Sequence, residues 1–333
     1  MPQIGDEHFW AVIPQYGRVQ DTLECLESVL ACAEVRALVV DNGSAPEELE
    51  ILRQWARGEL SVPVCYPRRE PPLPPIPRPV PCGVCSGGEA TDRRERLYIL
   101  TLDQNRGYAA AINAGWRWLR SRISAETEAI VVLNNDTVLA PDFWPQLRAL
   151  LDGEHPDAVL GPLVLDYRDG TDWQRPELRP PALWSWPLRA WAFRRRRARK
   201  DSIWYRRFWY TGLVSASVYM LPGSCWIFPR QVWLRLEELD EGTFLYWEEH
   251  ILAERARRLG IEMRFEPRLR IYHKWSRTAQ DNHWDAFVRS GMYYLRRYRG
   301  AGSLQIAGWR FLWSLQGIWR LLRRIGSSPL KSS

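Results

Sequence analysis

The sequence predicts an α/β fold in which a mostly parallel β-sheet is covered by helices on both faces. From His8 to Leu133, short runs of β-branched and other apolar residues alternate with stretches of helical spacing. The short runs are almost continuously apolar, as expected of strands that are buried on both faces. Ligands of such sheets bind beyond the carboxyl ends of the strands, so the residues after each strand are the first candidates for function.

Each element follows from a local pattern. Four strands are predicted where β-branched and apolar residues dominate, at His8–Pro14, Arg36–Val40, Leu97–Leu102 and Ala129–Leu133. Three helices separate them, with apolar residues three or four positions apart, at Val19–Ala31, Pro46–Arg57 and Ala109–Arg122. In the second half of the chain, Val218–Ile227 predicts a strand and a turn.

The composition is that of a globular protein with a mildly basic surface. The 333 residues carry 46 Lys and Arg against 39 Asp and Glu, a formal net charge of +7, and 46% of them are hydrophobic. These values exclude a disordered or fibrous chain. The 19 tryptophans are unusual, because Trp favours positions with one apolar and one wet side, such as sugar sites and membrane interfaces.

The N-terminal residues lack a charged start followed by an apolar run, so the sequence predicts no secretory signal and a cytoplasmic location. The uncharged stretch Phe208–Pro229 is as long as a transmembrane helix. Gly212, Pro222 and Gly223 interrupt it, so a buried strand is favoured over a membrane span.

Two segments interrupt the strand and helix pattern. Residues 66–96 contain a proline-rich stretch, which predicts a surface loop between the second and third strands, with partner binding as a polyproline segment the alternative. Residues 180–210 interleave aromatic residues with arginines, including the run Arg194–Lys200. Cys82 and Cys85 form a CxxC pair, but no fourth ligand is obvious, so reduced thiols are favoured over a zinc site.

Polar side chains follow three of the predicted strands. Asp41–Ser44 follows the second strand, Asp103–Gly115 runs from the third strand into a helix, and Asn134–Asp136 follows the fourth. A loop glycine beside a helix N-terminus suits a diphosphate, and a hard cation that bridges the diphosphate would satisfy the polar groups after the fourth strand. Taken alone, each motif is also explained by an ordinary turn or a capped helix.

In this order the motifs resemble the inverting family 2 glycosyltransferases of the GT-A fold, particularly the rhamnosyltransferase-like branch. The resemblance spans roughly His8 to Ser276 and implies a Rossmann-like catalytic domain over residues 1–276. It implies contacts to a nucleotide-sugar donor from residues that match the family's motifs, namely Pro14, Tyr16, Asp41, Asn105, Gly107, Asn113 and Asn135. The family's metal-binding motif is matched by Asn134–Asp136, with Asp136 as the ligand of Mg²⁺ or Mn²⁺.

The segment Leu239–Gly260 resembles the acidic stretch of the same family. The family's catalytic base falls on Glu249, and Glu248 is the alternative, because two glutamates stand where the family has a Glu-Asp pair. An inverting transfer needs one carboxylate to take the proton of the acceptor hydroxyl, and burial and repulsion between adjacent acids tune its pKa. A solvated acidic pair in the first turn of a helix is the plainer interpretation.

Four further residues complete the predicted site. The resemblance implies that His273 belongs to the metal or diphosphate shell and that Arg255 pairs with Glu249 or contacts phosphate. Trp226 and Trp247 fall where a sugar ring could stack, although core packing explains both tryptophans equally well.

Residues 277–333 predict a C-terminal helical extension. From Ser303 to Ile325, apolar and aromatic residues alternate with arginines at helical spacing, as in a basic amphipathic helix that lies in a membrane interface. Together with Arg194–Lys200 this favours an anionic membrane surface over nucleic acid as partner. A helix packed against the domain, or a dimer contact, explains the pattern as well, and the oligomeric state is open.

We therefore expect a transferase at the cytoplasmic face of the plasma membrane. It would move a sugar from a UDP- or dTDP-linked donor to a glycan or lipid-linked acceptor in cell-surface polysaccharide synthesis. A nucleotidyltransferase would use the same sheet and metal, but Pro14–Arg18 matches its glycine-rich basic loop poorly. A non-enzymatic basic module that binds membranes or nucleic acid leaves Asn134–Asp136 and the acidic pair unexplained.

Overall fold

One mixed sheet organises the chain in the computed structural model, which describes residues 8–85, 96–154, 157–181, 206–275 and 284–311. The strands are numbered along the chain: β1 Phe9–Gln15, β2 Val35–Asp41, β3 Cys82–Cys85, β4 Leu97–Thr101, β5 Ala129–Leu133, β6 Thr137–Leu139, β7 Ala158–Asp166, β8 Asp172–Gln174, β9 Ala216–Ser217, β10 Cys225–Pro229 and β11 Glu262–His273. The helices are α1 Val19–Val29, α2 Pro46–Arg57, α3 Tyr108–Arg120, α4 Phe143–Glu154, α5 Arg230–Leu236, α6 Glu248–Arg258, α7 Trp284–Arg299 and α8, the helical residues 303–311.

The strand order confirms the predicted α/β class. The strands lie in the order β3-β4-β2-β1-β5-β10-β7-β11-β6, with β8 beside β7 and β9 beside β11. The five strands β3-β4-β2-β1-β5 run parallel to one another, and β10 is antiparallel to both β5 and β7. The first four predicted strands and three predicted helices all form, with ends that differ by at most two residues.

Alternate residues of the central strand β1 are buried under helices on opposite faces of the sheet. In β1, Phe9, Ala11 and Ile13 belong to the core under α1, α2 and α4. Trp10 and Val12 belong to the second core, under α3, α5 and α6. This is the two-sided burial that the continuous apolar strands predicted.

The proline-rich segment is a strap that ends in a strand. Its residues before 82 form neither helix nor strand. Tyr66 packs against the second core and donates from Oη to the Leu139 carbonyl at 2.7 Å, whereas the Arg78 guanidinium lies over the Trp55 ring of the first core. Residues Cys82–Cys85 then join the sheet edge as β3, where a loop was predicted. The strand is possible because Pro81 is the last proline of the segment, so the following residues keep their N–H groups.

The uncharged stretch from residue 208 to residue 229 contains the short strands β9 and β10. Within the predicted range Val218–Ile227, a turn at residues 223–224 leads into β10, so the predicted turn and strand both form. Across the described ranges, the structure contains no helix that is both long enough and apolar enough to cross a membrane. Most of the basic aromatic segment, including Arg194–Lys200, lies outside the described residues, as does the tail beyond residue 311.

The described part of the C-terminal extension is helical, as predicted. Helices α7 and α8 form a third apolar cluster with α6, in which Tyr294, Ile306 and Trp309 are buried beside Trp247. The extension thus packs on the helix that begins with the acidic pair.

Candidate functional site

The loops after β1 and β2 meet at the carboxyl edge of the sheet. The Gly17 N–H donates to Ser44 Oγ at 3.0 Å, and Gly17 and Arg18 both have positive φ, which makes the turn tight. The turn leaves Tyr16 59% exposed. Pro14, in contrast, is buried within β1. Of these two predicted donor contacts, only Tyr16 therefore has an accessible side chain, and Pro14 is part of the strand end.

Two neighbouring residues, Asp41 at the end of β2 and Asn42 after it, hold the loops at this edge of the sheet. Asp41 is buried, accepts the Ser44 N–H at 3.3 Å, and has a pKa that burial raises above its usual value. Asn42, which the sequence did not single out, donates from Nδ2 to Asn105 Oδ1 at 2.9 Å and to the Gly107 carbonyl at 3.2 Å. Its position inside an Asp-Asn-Gly turn at a strand end was the available signal. Asn42 thus links the loop after β2 to the loop after β4.

Gly107 fixes the third loop against the segment that precedes α6. Its φ of 94° favours glycine, and a Cβ at this position would lie 2.5 Å from the Phe244 carbonyl oxygen. The Tyr108 N–H donates to the same oxygen at 3.0 Å. The predicted donor loop and the acidic stretch are therefore in direct contact, although 137 residues separate Gly107 from Phe244 in sequence (244 − 107).

Asn113 has a role different from the predicted donor contact. Its side chain is fully buried, and Nδ2 donates to the Leu239 carbonyl at 2.9 Å and to Glu241 Oε1 at 2.8 Å. Its Oδ1 accepts the Leu239 N–H at 2.8 Å. Because these bonds occupy both ends of a buried amide, Asn113 holds the loop after α5 rather than a nucleotide.

The residues after β5 meet the end of β11, as the resemblance implied. Thr137 is paired with His273 in the antiparallel register of β6 and β11. This places His273 Nε2 3.0 Å from Asp136 Oδ1, with both residues buried. Asn135 points to the α1 side, where its Nδ2 donates to Thr22 Oγ1 at 3.1 Å.

The side chains of Asp136 and His273 fit a divalent cation whose coordination shell is completed by phosphate oxygens. Among the described residues, no group of three or more His, Cys, Asp or Glu side chains is arranged to hold a metal. Asp136 and His273 supply two metal ligands, and Mg²⁺ is commonly held by one or two carboxylates together with substrate phosphates. His273 Nδ1 and Asn134 Oδ1 are buried without a hydrogen-bond partner within the described ranges, so polar capacity remains beside the pair.

The acidic pair occupies the first turn of α6. Glu248 is 7% exposed and accepts the Thr243 hydroxyl at 3.4 Å. Glu249 is half-buried and packs so closely on Gly223 that a Cβ there would lie 2.7 Å from its Oε1. Burial, followed by the charge of Glu249, raises the pKa of Glu248, and burial raises the pKa of Glu249 as well. The alternative of a solvated pair does not hold.

A two-residue link connects the acidic pair with the Asp136 region. The Ser224 carbonyl accepts the Asn134 N–H at 3.0 Å, while Gly223 lies against Glu249. Tyr108 Oη donates to the Gly223 carbonyl at 3.1 Å. The two predicted halves of the site therefore lie on either side of one short segment.

Arg255 departs from its predicted role. Its Nη2 donates to the carbonyls of Glu238 at 2.6 Å and Leu236 at 3.3 Å. These bonds join α6 to the end of α5, so the guanidinium serves the packing of two helices rather than Glu249 or a phosphate.

The two tryptophans proposed as sugar platforms are buried. Trp226 is inaccessible in β10 and packs edge-on against Tyr108 and Phe228, so its ring offers no face to a sugar. Trp247 is stacked on Tyr294 with ring centroids 5.2 Å apart. The core interpretation, which the sequence left open, fits both rings.

Comparisons with known proteins agree with part of this site. Residues 89–217 match the sequence model of glycosyl transferase family 2, which is less than half of the chain. The match contains the Asn105 and Asp136 motifs but neither Glu249 nor His273. No curated protein shows significant sequence similarity to the chain.

Solved structures that are similar to the chain match it at low sequence identity and with TM-scores below 0.5. S. aureus TarS is 13% identical over 92% of this chain, which spans 42% of that chain, with a TM-score of 0.49. GalNAc-T7 with UDP, GalNAc and Mn²⁺ is 13% identical over 89% of this chain and 51% of that chain, also with a TM-score of 0.49. S. aureus TarS 1-349 in complex with UDP-GlcNAc is 12% identical over 92% and 70%, with a TM-score of 0.47.

The rhamnosyltransferase-like branch stays a prediction, since the match reaches only the family. The match covers the elements from β4 to β9 in the mixed sheet, with the Asn105 and Asp136 loops, but not the loops after β1 and β2 that carry Tyr16 and Asp41. It supports a glycosyltransferase domain that includes residues 89–217.

Proposed function

We propose that the chain is a metal-dependent inverting glycosyltransferase that uses a UDP- or dTDP-linked sugar donor. One observation carries the proposal: the Asp136–His273 pair and the acidic pair Glu248–Glu249 lie on either side of the Gly223–Ser224 link. An inverting transfer needs a centre for the leaving diphosphate and, opposite it, a carboxylate for the acceptor. The site offers both.

The donor occupies the strand-end loops in this proposal. The nucleotide lies beside the exposed ring of Tyr16 and the loops that begin at Asp41 and Asn105, which Asn42 holds together. Asp136 and His273 would hold the cation, Mg²⁺ or Mn²⁺, which when bound neutralises the charge of the departing diphosphate.

Glu249 is the base. Its carboxylate takes the proton of the acceptor hydroxyl while that oxygen forms a bond to the anomeric carbon and the bond from this carbon to the diphosphate breaks. The raised pKa of Glu249 suits a proton acceptor that works near neutral pH. Glu249 is favoured over Glu248 because it is the more exposed of the two and packs on Gly223, next to the cation side.

The acceptor and location follow from the tail. Helix α8 buries Ile306 and Trp309 but leaves Leu304 90% and Phe311 63% exposed. With the net charge of +7 this supports a peripheral position on an anionic membrane, at the cytoplasmic face, and a glycan or lipid-linked acceptor of cell-surface polysaccharide synthesis.

The membrane part is tested by co-sedimentation with vesicles. The wild type should pellet with phosphatidylglycerol vesicles and stay in solution with phosphatidylcholine vesicles, and replacing Leu304 and Phe311 by serine should weaken the pelleting. Equal pelleting of the wild type with both lipids, or no effect of the two serines, would contradict the proposal.

The donor is identified by a thermal-shift screen of nucleotide-sugars with Mg²⁺ or Mn²⁺. A ligand at 100 times its Kd stabilises the folded chain by about 2.7 kcal/mol. The shift should require the cation and vanish in Asp136→Ala but not in Asp152→Ala, an exposed aspartate on α4. No response to any nucleotide-sugar would favour a binding module, and a response confined to nucleoside triphosphates a nucleotidyltransferase.

A further inference from the structure

The two residues before the acidic pair have an unfavourable backbone conformation. Tyr246 has a φ of 72° and Trp247 a φ of 73°, in the left-handed region that residues other than glycine rarely adopt. Such a conformation persists only where the surroundings impose it. Trp247 is also the residue at the N-terminal end of α6, directly before Glu248 and Glu249.

The surroundings that impose it come from the C-terminal helices. Trp247 Nε1 donates to the Phe287 carbonyl at 3.0 Å, and the ring of Trp247 stacks on Tyr294 of α7 with an interplanar angle of 26°. Ser290 Oγ donates to the Leu245 carbonyl at 2.8 Å. Helix α7 therefore grips both the side chain of Trp247 and the backbone two residues before it.

Helix α8 completes the enclosure of Trp247. The Trp309 ring meets the Trp247 ring at 66° with centroids 6.0 Å apart. Between them lies Gly291, where a Cβ would collide with Trp309 and lie 2.9 Å from Cε2 of Trp247. The two indoles and the glycine are packed without spare volume, so a displacement of α8 is transmitted to Trp247.

We propose that Trp247 is a positioning residue and that α7 and α8 hold the acidic pair in its working geometry through it. The role of the acidic pair rests on the proposed function. The C-terminal extension, which the sequence explains either as a membrane element or as a helix packed against the domain, then also serves to position the acidic pair. A carboxylate that shifts by even a fraction of its hydrogen-bonding distance loses much of its effect in proton transfer.

The test compares substitutions at two positions of α8 in the full chain. Trp309→Ala removes the contact with Trp247, whereas Ala307→Ser changes an exposed side chain of the same helix. Trp309→Ala should lower kcat by about tenfold to a hundredfold with the donor KM little changed, and Trp309→Phe should recover most of the loss. Ala307→Ser should match the wild type.

A second readout needs no substrate. Amide hydrogen exchange of residues 246–250 should accelerate in Trp309→Ala and in Gly291→Ala, and exchange of β5 should stay as in the wild type. Unchanged exchange at residues 246–250 would overturn the proposal. A fall in kcat accompanied by an equal rise in the donor KM, with no recovery in Trp309→Phe, would also overturn it. If the wild type turns over no nucleotide-sugar, the proposed function fails while the exchange result still decides whether α8 positions Trp247.

Discussion

Replacing Gly107 by alanine probes the contact between the donor loop and the segment before the acidic pair. The backbone of Gly107, with φ 94° and ψ 170°, lies in a region that is almost restricted to glycine, and occupying it costs another residue about 1–3 kcal/mol. The new Cβ would also lie 2.5 Å from the Phe244 carbonyl oxygen, closer than the 3.0 Å that Cβ contacts respect. Relieving such overpacking costs a further ~1–3 kcal/mol. We expect Gly107→Ala to lower the free energy of unfolding by about 2–6 kcal/mol.

Gly260 provides the matched control. It also has a positive φ, of 67°, but no atom lies within 4 Å of the position that a Cβ would occupy, so Gly260→Ala carries only the conformational cost, roughly 1–2 kcal/mol. Urea unfolding of the full-length variants, followed by tryptophan fluorescence, gives both values. If Gly107→Ala destabilises the chain no more than Gly260→Ala, the donor loop does not rest on Phe244 and the reasoning is refuted.

Three further predictions test the site. Because the pKa of Glu248 is raised above 4.5, the native state binds more protons than the unfolded state, so the unfolding free energy should fall as pH rises from about 4.5 towards the raised pKa. Urea titrations across this window should show a smaller fall in Glu248→Gln, and an equal fall contradicts the burial argument. Asn42→Ala should lower the unfolding free energy by about 1–3 kcal/mol, since it removes the donor of two hydrogen bonds to Asn105 and Gly107 in the loop after β4; an unchanged urea midpoint would show that the contact between the two loops does not depend on Asn42. Arg255→Ala should cost a similar ~1–3 kcal/mol without weakening donor binding by calorimetry, whereas weaker binding at full stability would restore its phosphate role.

The sheet and the donor loops were predictable because their determinants are local. Apolar runs fix the strands, and consecutive parallel strands deliver their carboxyl ends to one edge, which brings the Asp41 and Asn105 loops together. The Asp136–His273 pair was predicted only through the family resemblance, since the two residues meet by antiparallel pairing of β6 with β11. Nothing in the local pattern of either strand announces that pairing.

The side-chain roles that failed depend on distant partners. Asn113 stands in a motif suited to a nucleotide, yet its hydrogen bonds go to Leu239, 126 residues away. The tryptophan count favours interfaces, but the largest fully buried side chains include five tryptophans, Trp10, Trp55, Trp116, Trp226 and Trp233. Composition records how many large rings a chain has, and only packing decides whether they serve the core or a surface.

Glycosyl transfer at this site is tested most directly by measuring nucleotide release from the donor found in the screen, with acceptor present. The wild type should release nucleotide, and Glu249→Gln should reduce the rate by about 10²–10⁴-fold while the donor still raises its melting temperature. Asp136→Ala should lose both the rate and the cation-dependent shift. Wild-type rates in both variants would contradict the assignment of the base and of the cation site.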